Sequence, residues 1–117
     1  MAKVPGFANA SVHPDKIVKY LLVPLPKDDK SNFMFTRGFV RTNIQEIDDA
    51  LLNHVSTNEI FGGRPIPDWN DPSGKTIAGY NYTVKCAFQT PDKTNPCIRT
   101  VWTVLTGQHP TFQTLLP

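Results

Sequence analysis

The hydrophobic pattern of this chain changes from a helical period to a period of two near residue 76. Upstream, apolar residues recur on one helical face after the capping-box pair Asn43 and Glu46: Ile44, Ile47, Leu51 and Val55. Downstream, apolar or aromatic residues alternate with polar ones as in a half-buried strand: Tyr80, Tyr82, Val84, Cys86 and Phe88. Helices first and strands after them predict an α+β fold, in which N-terminal helices pack on one face of an antiparallel β-sheet.

Three helices are predicted in the first half of the chain. The first begins at Pro14, where a missing N–H costs nothing, and ends before Pro24. The second spans about 30–39 and ends near Gly38, and the third spans about 44–56. The helical part is therefore expected over about 12–58.

The second half is predicted to be a loop followed by strands. Segment 61–75 is rich in Gly, Pro, Asn, Asp and Ser, which is typical of a long loop. Strands are expected over 80–88, 98–105 and 112–116, with a turn over 91–96. The antiparallel sheet thus occupies about 76–116, and the face without helices is free to bind a partner.

Composition indicates one folded domain over 1–117. The chain is 39% apolar and 19% charged, which is too apolar for a disordered chain. The net charge of +2 permits contact with nucleic acid but does not by itself predict it. Because the chain has no apolar run long enough to span a membrane and no signal-peptide pattern, we expect a soluble domain without membrane association.

The cysteines and histidines do not predict a metal or cofactor site. Cys86 and Cys97 flank a predicted turn, so they are either reduced small hydrophobic residues or a disulfide across a hairpin. His13, His54 and His109 lack the paired spacing of zinc ligands. No cofactor is expected.

Scattered polar groups in the strand half are the candidates for chemistry. Arg99 and Thr103 lie on one side of a strand, Thr114 lies on the next, and His109 lies in the turn between them. A cation, a hydroxyl and an imidazole are the groups that metal-free phosphodiester cleavage needs. Each of these residues also has a purely structural interpretation, because arginine and threonine are common on strands and histidine occurs in turns. Trp102, on the same strand as Arg99, falls on the predicted core face.

Five segments together carry a family resemblance that spans nearly the whole chain: 12–22, 30–39, 50–54, 98–104 and 109–117. They resemble an uncharacterised bacterial domain that occurs alone and at the C-termini of contact-dependent growth inhibition and other polymorphic toxins. These C-terminal toxin domains are similar to the barnase/EndoU/colicin/RelE group of small α+β ribonucleases, in which N-terminal helices pack on a curved antiparallel sheet.

The resemblance implies a function. The expected activity is metal-independent cleavage of RNA, and of transfer RNA in particular, in the cytoplasm of a target bacterium. A secreted or cell-surface effector would deliver the domain, and a cognate immunity protein would cover its site. A host activating factor is a further implied partner.

The resemblance also implies site residues. The family's motif lysine falls on Lys30, its Arg-Thr-Val-Trp strand on 99–102, and the threonine of its closing strand on Thr114. The chain departs from the family where Asn-Pro and His-Pro are replaced by Val23-Pro24 and Leu25-Pro26.

Two further departures concern a glycine-rich turn and a tyrosine. Lys27-Asp28-Asp29 stands in place of the turn, and Leu115-Leu116 in place of the closing tyrosine. His54 or His109 is therefore expected to exchange protons.

The predicted site combines these assignments. Arg99 and Lys30 hold the scissile phosphate and Thr114 orients it. Thr103, Lys85 and Trp102 are the predicted RNA contacts.

Two other functions are alternatives to a ribonuclease. A non-enzymatic α+β protein-binding module would present an apolar patch, with Trp102, Phe112 or Trp69 turned outward. An immunity protein is disfavoured by the positive net charge, because inhibitors of RNA-binding sites tend to be acidic.

Overall fold

The computed structural model describes residues 2–26, 29–70 and 76–117, which form an α+β fold. The helical elements come first: a 3₁₀ turn at Phe7–Asn9, α1 at Pro14–Lys16 continued by a π-helical turn at Ile17–Leu21, α2 at Ser31–Thr36 and α3 at Ile44–Thr57. The strands follow: β1 at Ile60–Asn70, β2 at Thr76–Ala87, β3 at Cys97–Leu105 and β4 at Thr111–Leu116. They form one antiparallel sheet in the order β1-β2-β3-β4. The predicted α+β class is confirmed.

The three predicted helices are present, and their ends follow local signals. The side chain of Asn43 accepts a hydrogen bond from the backbone N–H of Glu46 at the start of α3 (3.4 Å). Gly38, at φ 99°, takes the left-handed conformation after α2. Helix α2 is shorter than the predicted segment because its last turn closes there.

Strand β1 corrects the predicted loop over 61–75. Residues 60–70 pair with β2, whereas 71–75 lie outside the described residues. The strand is at the edge of the sheet, where a proline such as Pro65 is tolerated because one side of the strand has no ladder partner. A Cβ on Gly63 would lie 2.8 Å from the carbonyl oxygen of Asn81, so close approach of β2 needs glycine here. Turn-forming residues thus mark an edge strand rather than a loop.

The predicted turn over 91–96 joins β2 to β3 and is held by Asp92. Its carboxylate accepts hydrogen bonds from the hydroxyls of Thr90 (2.7 Å) and Thr94 (2.8 Å). These bonds, with the Thr90 hydroxyl first, lower the pKa of Asp92 to about 2. The turn sets where β3 begins.

The core lies between α3 and one face of the sheet. Helix α3 packs against β2 and β3. It buries the predicted stripe residues Ile47, Leu51 and Val55. From the sheet, Trp102 and Phe112 are both buried, with ring centroids 5.5 Å apart. Over the described ranges, the opposite face of the sheet carries exposed or half-buried side chains.

No helix in the described part of the chain has both the length and the apolar character needed to cross a membrane.

Candidate functional site

The face of the sheet turned away from α3 carries polar side chains from all four strands. Cross-strand partners point to the same side, and the register places on this face the following residues: Arg64, Asn81, Thr83, Lys85, Arg99, Val101, Thr103 and Thr114. We call this set the open face. The prediction that Arg99 and Thr103 lie on one side of their strand is confirmed, and the register adds Thr114 of β4 to the same face.

Two cations stand directly opposite each other on the open face. Lys85 of β2 pairs with Arg99 of β3, and both side chains are exposed. Neither joins an ion pair among the described residues; the Lys85 ammonium instead lies 4.6 Å from the ring centroid of Phe61. Like charges at directly opposed positions destabilise a sheet. An anion bound between them would remove that repulsion, so the pair favours a bound anion.

Hydroxyl groups flank the two cations. The Thr103 hydroxyl donates to the side-chain oxygen of Asn81 (2.6 Å). Thr114 lies opposite Val101, two residues from Arg99, so the two residues are diagonal neighbours about 7–8 Å apart. A ligand the size of a nucleotide can touch both.

Tyr20 reaches Thr114 from the π-helical turn at Ile17–Leu21. The two hydroxyl oxygens are 2.7 Å apart. The Lys16 ammonium donates to the carbonyl of Gln113 (3.2 Å), which ties the same helical segment to edge strand β4. Tyr20 thus brings a second hydroxyl group into direct contact with Thr114.

His109 lies away from Arg99. It is exposed in the turn beyond Leu105, the last residue of β3. Leu105 and Arg99 are six residues apart along the strand, or about 20 Å at the usual rise. The structure therefore does not bring this imidazole to the phosphate that Arg99 would hold.

His54 is fully buried on the core side of the sheet. Its Nε2 donates to the carbonyl of Cys86 (2.8 Å), and its Nδ1 accepts from the hydroxyl of Thr100 (2.8 Å). Burial, the larger effect, lowers the pKa of His54. The prediction that His54 exchanges a proton with RNA is corrected, because both ring nitrogens are engaged inside the core.

Trp102 is also corrected. It is fully buried, and its indole N–H donates to the Thr100 hydroxyl (2.8 Å), so it does not stack on a base.

Lys30 directly precedes α2 and is 8% exposed, and its carbonyl accepts from the N–H of Met34 (3.1 Å). It lies outside the sheet, and its role in holding a phosphate stays a prediction.

The sequence matches one known family along almost its whole length. The family is DUF6883, a domain of unknown function, and the match covers residues 3–117. The chain belongs to this family. No curated protein and no solved structure matches it.

Charge is distributed unevenly over this DUF6883 domain. Helix α3 carries three carboxylates: Glu46, Asp48 and Asp49. The open face as defined above carries three cations, Arg64, Lys85 and Arg99, and no acidic residue. Burial, followed by the neighbouring Asp49, raises the pKa of Asp48. The open face thus presents positive charge to a polyanion, although the net charge of the chain is only +2.

Three residues of the candidate site in this DUF6883 domain were missed from the sequence. Arg64 and Asn81 lie together with Gly63, Thr83 and Val101 around a shallow groove of about 230 Å³ on the open face. Arg64 falls in the segment interpreted as a loop, and the alternation placed Asn81 on the polar side without assigning it a role. Tyr20 reads as part of the apolar stripe of the first helix, and only its contact with Thr114 reveals it.

The described residues contain no group of three or more His, Cys, Asp or Glu side chains arranged to hold a metal ion.

Proposed function

We propose that this domain is a metal-independent ribonuclease toxin of the barnase/EndoU/colicin/RelE type, acting on transfer RNA in a target bacterium and neutralised by a cognate immunity protein. The observation that carries the proposal is the opposed pair Lys85 and Arg99, without an acidic partner, beside hydroxyl groups on an uncovered sheet face. The sequence resemblance supplies the substrate class and the setting.

The phosphate is held by the cation pair in this mechanism. Arg99 and Lys85 bind its two non-bridging oxygens, and the same charges stabilise the pentacovalent phosphorane as negative charge develops there. Thr114 orients the phosphate from the neighbouring strand. Arg64 lies farther along the open face and binds the next phosphate of the strand.

Proton transfer is assigned to Tyr20 in place of the histidines. The ribose 2′-hydroxyl attacks phosphorus and loses its proton to water, and the 5′-oxygen leaves and takes a proton. Tyr20 is 2.7 Å from the Thr114 hydroxyl and donates that proton, directly or through Thr114. The proton that water took from the 2′-hydroxyl then returns to the Tyr20 phenolate. His54 is buried and His109 lies at the far end of β3, so neither is within reach.

The protein-binding alternative has less support. It expects Trp102, Phe112 or Trp69 to form an exposed apolar patch. Trp102 and Phe112 are buried in the core. The side chain of Trp69 lies outside what the structure describes.

The proposal is tested by incubating the purified domain with bacterial total RNA and with purified transfer RNA in EDTA. We expect discrete cleavage products on a denaturing gel. Arg99→Ala and Thr114→Ala should abolish them while leaving the circular dichroism spectrum unchanged.

Lys93→Asn is the matched control for loss of one positive charge. Lys93 lies in a turn on the α3 side, and its φ of 65° suits asparagine. The control should cleave like the wild type. Cleavage by folded Arg99→Ala at the wild-type rate, or no cleavage by the wild type at high concentration, would refute the proposal.

A further inference from the structure

Two free thiols face each other at one end of the β2–β3 pair. Cys86 and Cys97 are both exposed, and Cys97 lies opposite Ala87, the next residue after Cys86. With strands about 5 Å apart and a rise of about 3.3 Å per residue, the two Cα atoms are about 6 Å apart. That separation lies inside the range that a disulfide bridges.

The backbone at Cys86 is what turns its thiol outward. Strict alternation would place Cys86 on the core side with Val84 and Phe88, both of which are buried. Its φ of 136° breaks the alternation and exposes the side chain. The buried His54 anchors this conformation by donating to the Cys86 carbonyl. An L-residue at such a φ is strained, and strain of this kind clusters at functional sites.

The two thiols are in contact and differ in role. The side chains of Cys97 and Cys86 share a hydrogen bond, which is the largest cause of a raised pKa at Cys97. Because a thiol with a raised pKa is less often present as the thiolate, we assign the resolving step to Cys97 and the first attack to Cys86.

A groove next to the thiols can hold a small ligand. It has a volume of about 450 Å³, and its lining includes both cysteines, Lys85, Glu59 and the exposed Phe61. Lys85 suits a carboxylate of a peptide ligand, Glu59 suits its amino group, and Phe61 suits its aliphatic part. A short anionic peptide disulfide matches this lining.

We propose that Cys86 and Cys97 form a thiol–disulfide exchange site for a low-molecular-weight anionic peptide disulfide. The Cys86 thiolate attacks one sulfur of the disulfide, and a mixed disulfide forms as the first ligand thiolate leaves. Cys97 then loses its proton and attacks the Cys86 sulfur, which releases the second ligand thiolate. The two cysteine protons end on the two ligand thiols, so two thiols and one disulfide give one intramolecular disulfide and two small thiols.

The test uses the full chain in buffers of oxidised and reduced glutathione at varied ratio. Samples are quenched in acid, alkylated and weighed by mass spectrometry. We expect the wild type to lose two hydrogen atoms and to block both alkylation sites, and dithiothreitol should reverse both changes. Cys97→Ser should stop at one glutathione on Cys86, because the resolving thiol is absent.

Cys86→Ser is the matched variant. Its remaining Cys97 should also stop at one glutathione, because no second thiol is present to release it. A wild type that collects two glutathione adducts, or that forms covalent dimers, would overturn the proposal. Peptide mapping of wild-type samples quenched early should find the transient glutathione on Cys86, and finding it on Cys97 would overturn the assigned order. These measurements need no RNA and are independent of the proposed function.

Discussion

The buried side chain of His54 fixes the backbone of an exposed residue, Cys86. A chain of hydrogen bonds runs from the Trp102 indole to the Thr100 hydroxyl, from that hydroxyl to His54, and from His54 to the Cys86 carbonyl. Each donor meets one acceptor only if His54 is neutral with its proton on Nε2. Protonating Nδ1 would make the Thr100 hydroxyl accept from both nitrogens and turn its own proton away from His54. The imidazole therefore holds the strained Cys86 backbone in place while remaining uncharged.

We expect the stability of the domain to fall as the pH drops below about 6.5. Because the pKa of His54 is lower in the folded state than in the unfolded state, the unfolded state binds more protons in this range. The contribution is present above the unfolded pKa and is lost on acidification toward the folded pKa. Urea unfolding between pH 5 and pH 8 measures it.

The control for this pH dependence is a pair of single substitutions. His54→Gln should lower the free energy of unfolding at pH 7.5 by about 1–3 kcal/mol and reduce the pH slope. His109→Gln, at an exposed turn position, should keep the wild-type slope. Parallel curves for wild type and His54→Gln would show that His54 does not govern the pH response.

Tyr20→Phe tests the proton-donor assignment. Removing only the hydroxyl should leave the fold intact and lower the initial rate of RNA cleavage by about 10²-fold or more, the usual effect of losing a general acid. Tyr80→Phe is the control, because Tyr80 is exposed on β2 and its ring contacts Tyr82. An unchanged rate in Tyr20→Phe would remove Tyr20 from the mechanism without affecting phosphate binding by Arg99.

At the scale of elements, α3 and β1 differ in how well local sequence patterns predict them. Helix α3 was predicted because its cap and its apolar stripe lie within one segment. Strand β1 was missed because glycine and proline carry no hydrophobic period, and its strand character comes from pairing with β2. The missed element is also the one that contributes Arg64 to the open face.

Two neighbouring glycines on β1 test this pairing. A Cβ on Gly63 would lie 2.5 Å from a ring carbon of Tyr80 and 2.8 Å from the Asn81 carbonyl oxygen, whereas one on Gly62 would meet nothing within 4 Å. We expect Gly63→Ala to lower the free energy of unfolding by about 1–3 kcal/mol, the usual cost of overpacking. Gly62→Ala should change it by less than half as much. Equal effects in thermal or urea unfolding would mean that β1 does not approach β2 this closely.

At the scale of the whole molecule, charge separation decides which side meets a polyanion. Acidic side chains of α3 lie on one side of the sheet, and Arg64, Lys85 and Arg99 lie on the other. The net charge of +2 conceals this division. A surface of this kind draws RNA toward the open face and binds it through released counterions.

The salt dependence of RNA binding measures how many phosphates the open face contacts. The logarithm of the binding constant decreases with the logarithm of the salt concentration. We expect the magnitude of this slope to be smaller by about 0.7 in each of Arg64→Ala, Lys85→Ala and Arg99→Ala, the value for one contact to a single strand. Fluorescence anisotropy with a labelled RNA measures it. Lys93→Asn removes an equal charge on the α3 side and should leave the slope unchanged. An equal change in all four variants would mean that only net charge matters.

The sequence by itself determined the features that depend on near neighbours along the chain. These are the α+β order, the ends of α3, and the placement of Arg99 and Thr103 on one side of β3. Helix caps, apolar helical stripes and strand alternation each involve residues close together in the chain, so these patterns can be recognised from the sequence alone.

Only the tertiary structure decided which distant groups meet. Tyr20 bonds to Thr114 across 94 positions, and His54 bonds to Thr100 across 46. The same packing pairs β1 with β2, turns His54 inward and brings the thiols of Cys86 and Cys97 into contact. The physical reason is that burial of the shared core selects these contacts after the chain has closed long loops, and no local period encodes that selection.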